Sequence, residues 1–419
     1  MTIKIGVIAD DFTGSTDIGC FIAATGCQVV QFVGTPDESL NSSDADALII
    51  SLKTRSCPVQ QAIDESIKAC RWLKANGCQL IYFKYCSTFD STAQGNIGPV
   101  TDALLKELDS HFTLICPSLP VNGRTVVQGH LFVNGQLLNE SGMQNHPITP
   151  MKDANLIRLM DAQSSGKTGL LDLVTVQQGA NAITEKITQL QQKGFRYAVV
   201  DAMTLEDLRQ LKPLLKHFPL LTGGSAFGQI IAETSDHKIS QISQQYPSAG
   251  GRGVILSGSC SVMTNNQVAR YQQQAPTLAL DIEQCMTNPQ YAVELSQWVM
   301  QQSSTLAPMV YATQPPEQVR HMQEKYGIEQ VSYAVEKTFA HLARLLSEQG
   351  FNRFILAGGE TSSLIVQELG TNKLEIGGLI APGVPWVRDL NQNNRWLALK
   401  SGNFGDQNFF QHAQELCHD

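Results

Sequence analysis

Two adjacent carboxylates begin the chemistry of this chain. Asp10 and Asp11 end the first apolar run, in Ile5-Gly6-Val7-Ile8-Ala9-Asp10-Asp11-Phe12-Thr13-Gly14-Ser15-Thr16-Asp17. A short run of this kind reads as a buried parallel strand. The pair then projects from the carboxyl end of that strand, the edge where open α/β sheets bind ligands. A buried carboxylate without a partner is costly, so the pair points to a hydroxyl-rich ligand or a cation. Thr13 and Asp17 lie beside it. A turn containing Gly14 is expected next, then a helix carrying Ile18, Phe21, Ile22 and Ala23. The plainer alternative is that one Asp caps this helix and the other is solvated.

Other strand ends carry matching groups. Arg55 follows the run Ala47–Ser51, and Lys84 ends the run Leu80–Tyr85. Ser87, Thr88, Asp90, Ser91 and Thr92 come next, and Asn96 and Gly98 open the following helix. His130, within Gln128-Gly129-His130, lies further on. Cations, carboxylates and hydroxyls at several strand ends suit a small hydroxylated acid: Arg55 or Lys84 for its carboxylate, Asp10, Asp11 or Asp90 for its hydroxyls, with Ser87 and His130 as further contacts. Taken singly, each of these residues is explained as well by a surface ion pair or a helix cap.

The second half offers three small-residue loops, each after a candidate strand. They are Ser257-Gly258-Ser259-Cys260-Ser261, then Gly358-Gly359-Glu360-Thr361-Ser362-Ser363 before a helix at Leu364–Leu369, and Lys400-Ser401-Gly402-Asn403-Phe404-Gly405-Asp406 before the last helix. Glycine lets backbone approach a phosphate, and helix N-termini present free N–H groups to anions. One such loop is commonplace; three at strand ends favour a nucleotide phosphate site.

Positioning these groups takes two layered domains. The chain has 419 residues, more than a single core usually serves. Strands at Ile3–Ala9, Gln28–Val33, Ala47–Ser51, Leu80–Tyr85 and Thr113–Cys116 alternate with helical patterns such as Pro58–Asn76 and Ile97–Leu108. This is the signature of a parallel sheet with helices on both faces. A β-hairpin is expected at Val126–Leu138, turning at Asn134-Gly135, and a helix at Asn155–Asp161. Tyr246–Gly253 reads as a linker, followed by strands near Val254–Leu256, Thr277–Asp281, Arg353–Ala357 and Arg395–Lys400. The expected fold is two-domain α/β. A parallel-sheet, three-layer N-terminal domain, residues 1–245, would bind the small hydroxylated acid. A smaller α/β nucleotide-binding C-terminal domain would span residues 254–419.

Composition narrows the partners. A net charge of −8 argues against nucleic acid. No run has the apolar length of a membrane span, and Asp10 and Asp11 interrupt the first run too early for a signal peptide. The ten cysteines are scattered without a C-x-x-C, as expected of reduced thiols in a cytoplasmic protein. Two decoys fail on context. Ser165-Gly166-Lys167-Thr168 resembles the end of a phosphate-binding loop, but Asp161 stands where its first glycine belongs and a strand follows instead of a helix. Asp10-Asp11-Phe12-Thr13 lacks the spacing of a haloacid-dehalogenase-like nucleophile loop.

Nearly the whole chain resembles the four-carbon acid sugar kinases. The resemblance is carried by Ile8–Asp17, by Lys84, Ser87-Thr88, Asp90-Ser91-Thr92 and Gly95-Asn96-Ile97-Gly98, and by the three small-residue loops. Many threonate or erythronate kinases of that family carry K-x-D-S-T-L-R-G-N. Here the string is expanded and lacks arginine: Lys84-Tyr-Cys-Ser-Thr-Phe-Asp-Ser-Thr-Ala-Gln-Gly-Asn96. With Gln128–Val133 and Leu138–Met143, it is similar to the branch acting on 3-oxo-tetronates. The resemblance implies ATP-dependent phosphorylation of the 4-hydroxyl of a 3-oxo-tetronate, with Mg²⁺ as companion ion. It assigns Ser257, Gly258, Ser259, Gly358 to Ser363, Gly402 and Asn403 to the nucleotide. Asp11 is the candidate base, with Asp90 and Asp406 as rivals. No metal-ligand set follows, and a homo-oligomer is left open. Competing readings are a threonate or erythronate kinase, a nicotinamide-dependent sugar-acid dehydrogenase, and a non-enzymatic sugar-acid sensor. The dehydrogenase would need a G-x-G-x-x-G that neither Gly358-Gly359 nor Gly402–Gly405 supplies.

Overall fold

Unbroken apolar runs of four or five residues become strands buried on both faces, because helices cover a parallel sheet from either side. The structure is a computed structural model that describes every residue except 1–2, 37–44, 146–148, 235–244, 313–324, 393 and 418–419. It comprises two units, Met1–Ile242 and Ser243–Asp419.

The first unit contains β1 (Ile5–Ala9), β2 (Val29–Val33), β3 (Ala47–Ser51), β4 (Leu80–Lys84), β5 (Thr113–Cys116), β6 (Arg124–Val127), β7 (His130–Val133), β8 (Gln136–Leu137), β9 (Thr168–Leu171), β10 (Tyr197–Val200) and β11 (Leu220–Gly223). Eight of these strands run parallel in the order β2-β3-β1-β4-β11-β5-β10-β9. Every residue of β1, β3 and β4 is buried. From β1 the chain moves out through β2 and β3 on one side, whereas β4 lies on the other. The strand order therefore reverses between β1 and β4, and the crevice outside their carboxyl ends is the expected ligand position.

Two local readings are corrected. The helix after β1 spans Phe12–Ala23, so Gly14 lies in its first turn and not in a preceding loop. The expected single hairpin is a three-stranded antiparallel meander, β6-β7-β8. It turns first at Gln128-Gly129 and again at Asn134-Gly135, and all four residues have positive φ, the requirement of a two-residue primed turn. Only Asn-Gly carries the familiar turn signature, so the Gln-Gly turn went unread. Thr168 opens β9, as the rejection of the phosphate-loop decoy requires.

The second unit contains β12 (Arg252–Ser257), β13 (Thr277–Ala279), β14 (Met309–Tyr311), β15 (Phe351–Ala357), β16 (Lys373–Ala381), β17 (Val384–Asp389) and β18 (Trp396–Lys400). Their order is β13-β14-β12-β15-β18-β17-β16, parallel from β13 to β18 and antiparallel from β18 to β16. Ile255, Ile355, Trp386, Ala398, Phe409 and Phe410 form its core. The ends of β12, β15 and β18 are adjacent in the sheet, and these are the ends that carry the three loops.

Candidate functional site

At the end of β1 the backbone itself sets the geometry. Asp10 N–H donates to the Lys84 carbonyl at 3.0 Å, and the Asp10 carbonyl accepts from the N–H groups of Thr54 and Arg55 at 2.9 and 3.2 Å. The ends of β1, β3 and β4 are thus tied at Asp10. The same residue meets Arg55 through its side chain: Nε and Nη2 donate to the two carboxylate oxygens at 3.0 and 2.8 Å. This is the two-pronged geometry that a planar guanidinium makes with a carboxylate.

Asp11 is the N-cap of the Phe12–Ala23 helix and accepts from Gly14 N–H at 3.1 Å. Thr13 Oγ1 donates to it at 2.9 Å and Arg55 Nη2 at 2.7 Å. The cap requires Gly14, because a Cβ there would stand 2.2 Å from Asp11 Oδ1 and 3.2 Å from Lys84 Nζ. Asp90 completes a trio of acids around Arg55. It lies 3.9 Å from Nη1 and accepts from Thr88 Oγ1 at 2.6 Å. Lys84 is buried, and its Nζ donates to the Tyr85 carbonyl at 2.8 Å.

These contacts split the two adjacent acids. Burial pushes the Asp10 carboxyl up, against the pull of Arg55. Burial also works on Asp11, but Arg55, Lys84, Thr13 and Gly14 together hold it below the ordinary range. Asp11 is therefore the firmly ionised member. Its side chain is 26% exposed against 7% for Asp10, so it is also the more accessible one.

Three features of this site were not anticipated. Asn96 has no capping bond to its helix. Its Nδ2 donates instead to the carbonyls of Thr54 and Cys57, at 2.7 and 2.9 Å, and so fixes the loop that carries Arg55. Asp17 is buried and accepts from Ser225 Oγ, while its other oxygen has no partner among the described residues. Burial raises the Asp17 carboxyl, with Lys84 opposing. Ser225 opens the Ser225–Ala232 helix directly after β11, whose Gly223 pairs in register with Lys84. The string Thr222-Gly-Gly-Ser225 was the available signal, a small-residue turn after a strand like those noticed in the second half.

Ser87 lies half-buried in the turn between Lys84 and Asp90. His130 stands apart from this group. Its Nδ1 meets the Gln128 carbonyl at 2.8 Å and its Nε2 meets Asn155 Nδ2 at 3.2 Å. Among the described residues no hydrogen bond or ion pair joins it to Asp10, Asp11, Arg55 or Asp90.

The second unit assembles the other group. Gly258 and Ser259 donate their N–H groups to the Ala357 carbonyl at 2.8 and 3.1 Å, and Gly358 N–H donates to the Lys400 carbonyl at 2.9 Å. The three loops are therefore laced together at the ends of β12, β15 and β18. The second helix begins at Gly359, not at Leu364, so Glu360, Thr361, Ser362 and Ser363 form its first turn. Small polar residues were read as loop because they are weak helix formers, yet the first turn is where they are tolerated. Gly358 has a φ of +121°, a conformation glycine adopts freely. A Cβ on Gly258 would fall 2.1 Å from Thr361 Oγ1. Ser257, Ser362 and Ser363 bury hydroxyls that have no partner among the described residues. Close backbone and a glycine-opened helix N-terminus are features that suit phosphate oxygens.

Lys400 heads the third loop, and its burial is a feature that the loop's sequence does not reveal. It is wholly buried, and its Nζ donates to Thr264 Oγ1 at 2.9 Å, Ser401 O at 3.2 Å and Gly402 O at 3.0 Å. Ser261 caps the Val262–Tyr271 helix and donates to Gly402 O at 2.6 Å. Asn403, Glu360 and Asp406 are exposed, and the Asp406 carboxylate accepts from Asn408 N–H at 2.8 Å.

Comparison with known proteins agrees with this division of groups. Residues 5–231 match the family model of a sugar-binding N-terminal domain, and residues 254–410 match that of a nucleotide-binding C-terminal domain. A protein of Haemophilus influenzae named 3-oxo-tetronate kinase is 53% identical, over 98% of this chain and 99% of its own. Relatives of the same name from Actinobacillus succinogenes and Salmonella typhimurium are 53% and 52% identical, each over at least 98% of this chain and 99% of their own. A solved Haemophilus influenzae structure, 53% identical, superposes with a TM-score of 0.83 over 98% of this chain and 99% of that one. A Salmonella typhimurium structure, provisionally described as a tRNA synthase, is 51% identical, with a TM-score of 0.90 and 98% of both chains covered. With full-length relatives at this identity and both domain models matched, the chain belongs to the four-carbon acid sugar kinase family.

Proposed function

We propose that this protein is an ATP-dependent kinase that phosphorylates the 4-hydroxyl of a 3-oxo-tetronate. The observation that carries the reading is the end-to-end likeness, at 50–53% identity, to relatives named 3-oxo-tetronate kinase. The geometry supports it. One unit offers carboxylates and cations suited to a hydroxy acid, and the other offers a phosphate cradle. A tRNA substrate fits poorly, because a net charge of −8 repels a polyanion.

In this reading the sugar acid binds in the first unit, and Arg55 and Lys84 take its carboxylate and carbonyl oxygens. Arg55 has Nε and Nη2 committed to Asp10 and Asp11, so Nη1 is the edge it can offer. Asp11, ionised and the more exposed acid, receives the proton of the attacking hydroxyl. General-base assistance is worth roughly 10²–10⁴-fold. Asp90 orients that hydroxyl together with Thr88. In the second unit Ser257, Ser259, Gly359, Thr361 and Asn403 hold the nucleotide, with the N–H groups after Gly358 turned to its phosphates. ATP supplies the γ-phosphoryl group, and transfer of that group is chiefly a matter of positioning and charge. Among the described residues no cluster of three His, Cys, Asp or Glu is placed to hold a metal unaided. Mg²⁺ would accompany the triphosphate and neutralise part of its charge, as small hard cations commonly do.

All ten cysteines are free thiols, which supports a cytoplasmic setting, and no helix among the described residues is long and apolar enough to cross a membrane. The deciding experiment measures ADP release with 3-oxo-tetronate, threonate and erythronate side by side. Preference for the 3-oxo acid supports the assignment. Preference for a bare tetronate moves the protein to the sister activity, and turnover of none favours the sensor.

A further inference from the structure

Lys400 is a cation buried beneath the three loops, and among the described residues it has no acidic partner. Its exposure is 0%, and its three protons are matched by three acceptors: Thr264 Oγ1, Ser401 O and Gly402 O. Gly402 O is also the acceptor for Ser261 Oγ and Thr264 Oγ1, at 2.6 and 2.8 Å. This one carbonyl therefore gathers the amine, the cap of the Val262–Tyr271 helix and the third loop. The backbone carbonyl of Lys400 itself receives Gly358 N–H at 2.9 Å. All three loops are referenced to this residue.

We infer that Lys400 is the positioning residue of the nucleotide loops, and that binding of a polyphosphate at those loops draws a proton onto its amine. The inference rests on the assignment of ATP to this unit. A neutral amine has only two protons and a lone pair, so it cannot donate to all three acceptors, and Ser401–Gly402 is fully tethered only by the ammonium. Desolvation by burial lowers this lysine to about 7, from an ordinary 10.5. Near neutral pH the apo protein is thus a mixture of the two forms, and a bound polyanion favours the charged one.

The elements around the amine direct their charged groups elsewhere. The Val262–Tyr271 helix presents Thr264, while its Arg270 reaches Asn408 and its Tyr271 hydroxyl reaches Ala307 O. The Phe409–Glu415 helix presents the Phe409 ring, 5.9 Å from Nζ, and its His412 and Glu415 face each other on an exposed side. Asp406 and Glu360 are exposed, and Asp406 is occupied with Asn408. Among the described residues no ion pair reaches Lys400. Its charge is free to respond to the ligand.

The test is calorimetric titration of the full chain with ATP at about pH 8, above the pKa near 6 at which terminal phosphates titrate. The series is repeated in buffers of different ionisation enthalpy. The expected result is uptake of about half a proton or more per nucleotide bound, with Kd rising up to about tenfold per pH unit above neutrality. Lys400→Met should abolish the uptake and weaken ATP by tenfold or more. Thr264→Val, which removes one acceptor but leaves the charge, should retain the uptake. ATP binding without proton uptake in the wild type, or uptake unchanged in Lys400→Met, overturns the inference and leaves the nucleotide site standing. Failure of the wild type to bind ATP at all removes both. If Lys400→Met does not fold, the wild-type buffer series and Thr264→Val still decide.

Discussion

Asn96 holds the carbonyl of Thr54 at 2.7 Å across 42 positions of chain, and with it the loop that aims Arg55 at Asp10. This residue touches no reacting group, yet the site's guanidinium depends on it. Asn96→Ala leaves the buried Thr54 carbonyl and the half-buried Cys57 carbonyl short of a donor, which costs about 1–3 kcal/mol. The expected outcome is a lower Tm together with a rise in KM for the sugar acid, while ATP affinity holds. Thermal melting beside steady-state kinetics checks it; an unchanged sugar-acid KM would show that the loop is held by other means.

Asp11→Asn removes the charge and keeps the shape. As the acceptor of the substrate proton, Asp11 should cost roughly 10²-fold or more in kcat/KM when neutralised. Asp10→Asn breaks the two-pronged pair with Arg55 and should act more through stability. Near wild-type turnover in Asp11→Asn would leave this residue a cap alone, with Asp90 the next acid to test.

Asp11 also sets a pH dependence. Its carboxyl is held below the ordinary 3.8, so its ionised form contributes stability above that value, and the contribution is lost as pH falls through the lower folded value. Wild type should be more stable than Asp11→Asn at about pH 7, with the gap closing below about pH 4. Denaturant titrations at both ends of that range would reveal a constant gap if the assignment is wrong.

Lys400 gives a rise of the same sign in a higher pH range. Its folded value of about 7 lies below the ordinary 10.5, so between these limits the unfolded chain binds more protons and stability rises with pH. Lys400→Met should flatten that rise. Melting temperatures recorded across this range for both proteins make the comparison, and parallel curves would contradict it.

Gly258→Ala places a methyl 2.1 Å from Thr361 Oγ1. The two loops must then part, and KM for ATP should rise on the order of tenfold, about 1.4 kcal/mol. The sugar-acid site lies in the other unit and should be unaffected. An unaltered ATP KM in a folded Gly258→Ala protein would remove these loops from the nucleotide site.

What could be read from the sequence was local. An apolar run ending in Asp10-Asp11 announces a buried strand, and small-residue strings after strands announce the loops laced together at the ends of β12, β15 and β18. Partnerships across the chain carry no local signal: Arg55 reaches Asp10 over 45 positions, and Ser225 reaches Asp17 over 208. Lys400 was legible only as the head of the third loop, because a lone lysine at a strand end ordinarily lies in water and its partner Thr264 lies 136 positions away. The β16–β17 pair was hidden by Gly377 and Gly378, which interrupt the alternation of β16. Gly378 admits the Tyr246 ring, where a Cβ would come within 2.3 Å of it.

The acids around Arg55 also bear on how a turnover ends. Asp10, Asp11 and Asp90 surround one guanidinium, with Lys84 the second cation nearby. In the proposed reading Arg55 and Lys84 take the single carboxylate of an incoming hydroxy acid, and three carboxylates against two cations leave no surplus positive charge. Phosphorylation adds about 1.5–2 further negative charges, and these have only carboxylates left to meet. The site that welcomes the substrate thus repels what it has made, so departure of the phosphorylated acid is driven by its own charge. Weak inhibition by accumulated product, growing weaker at low ionic strength where repulsion reaches further, is the kinetic trace this arrangement leaves.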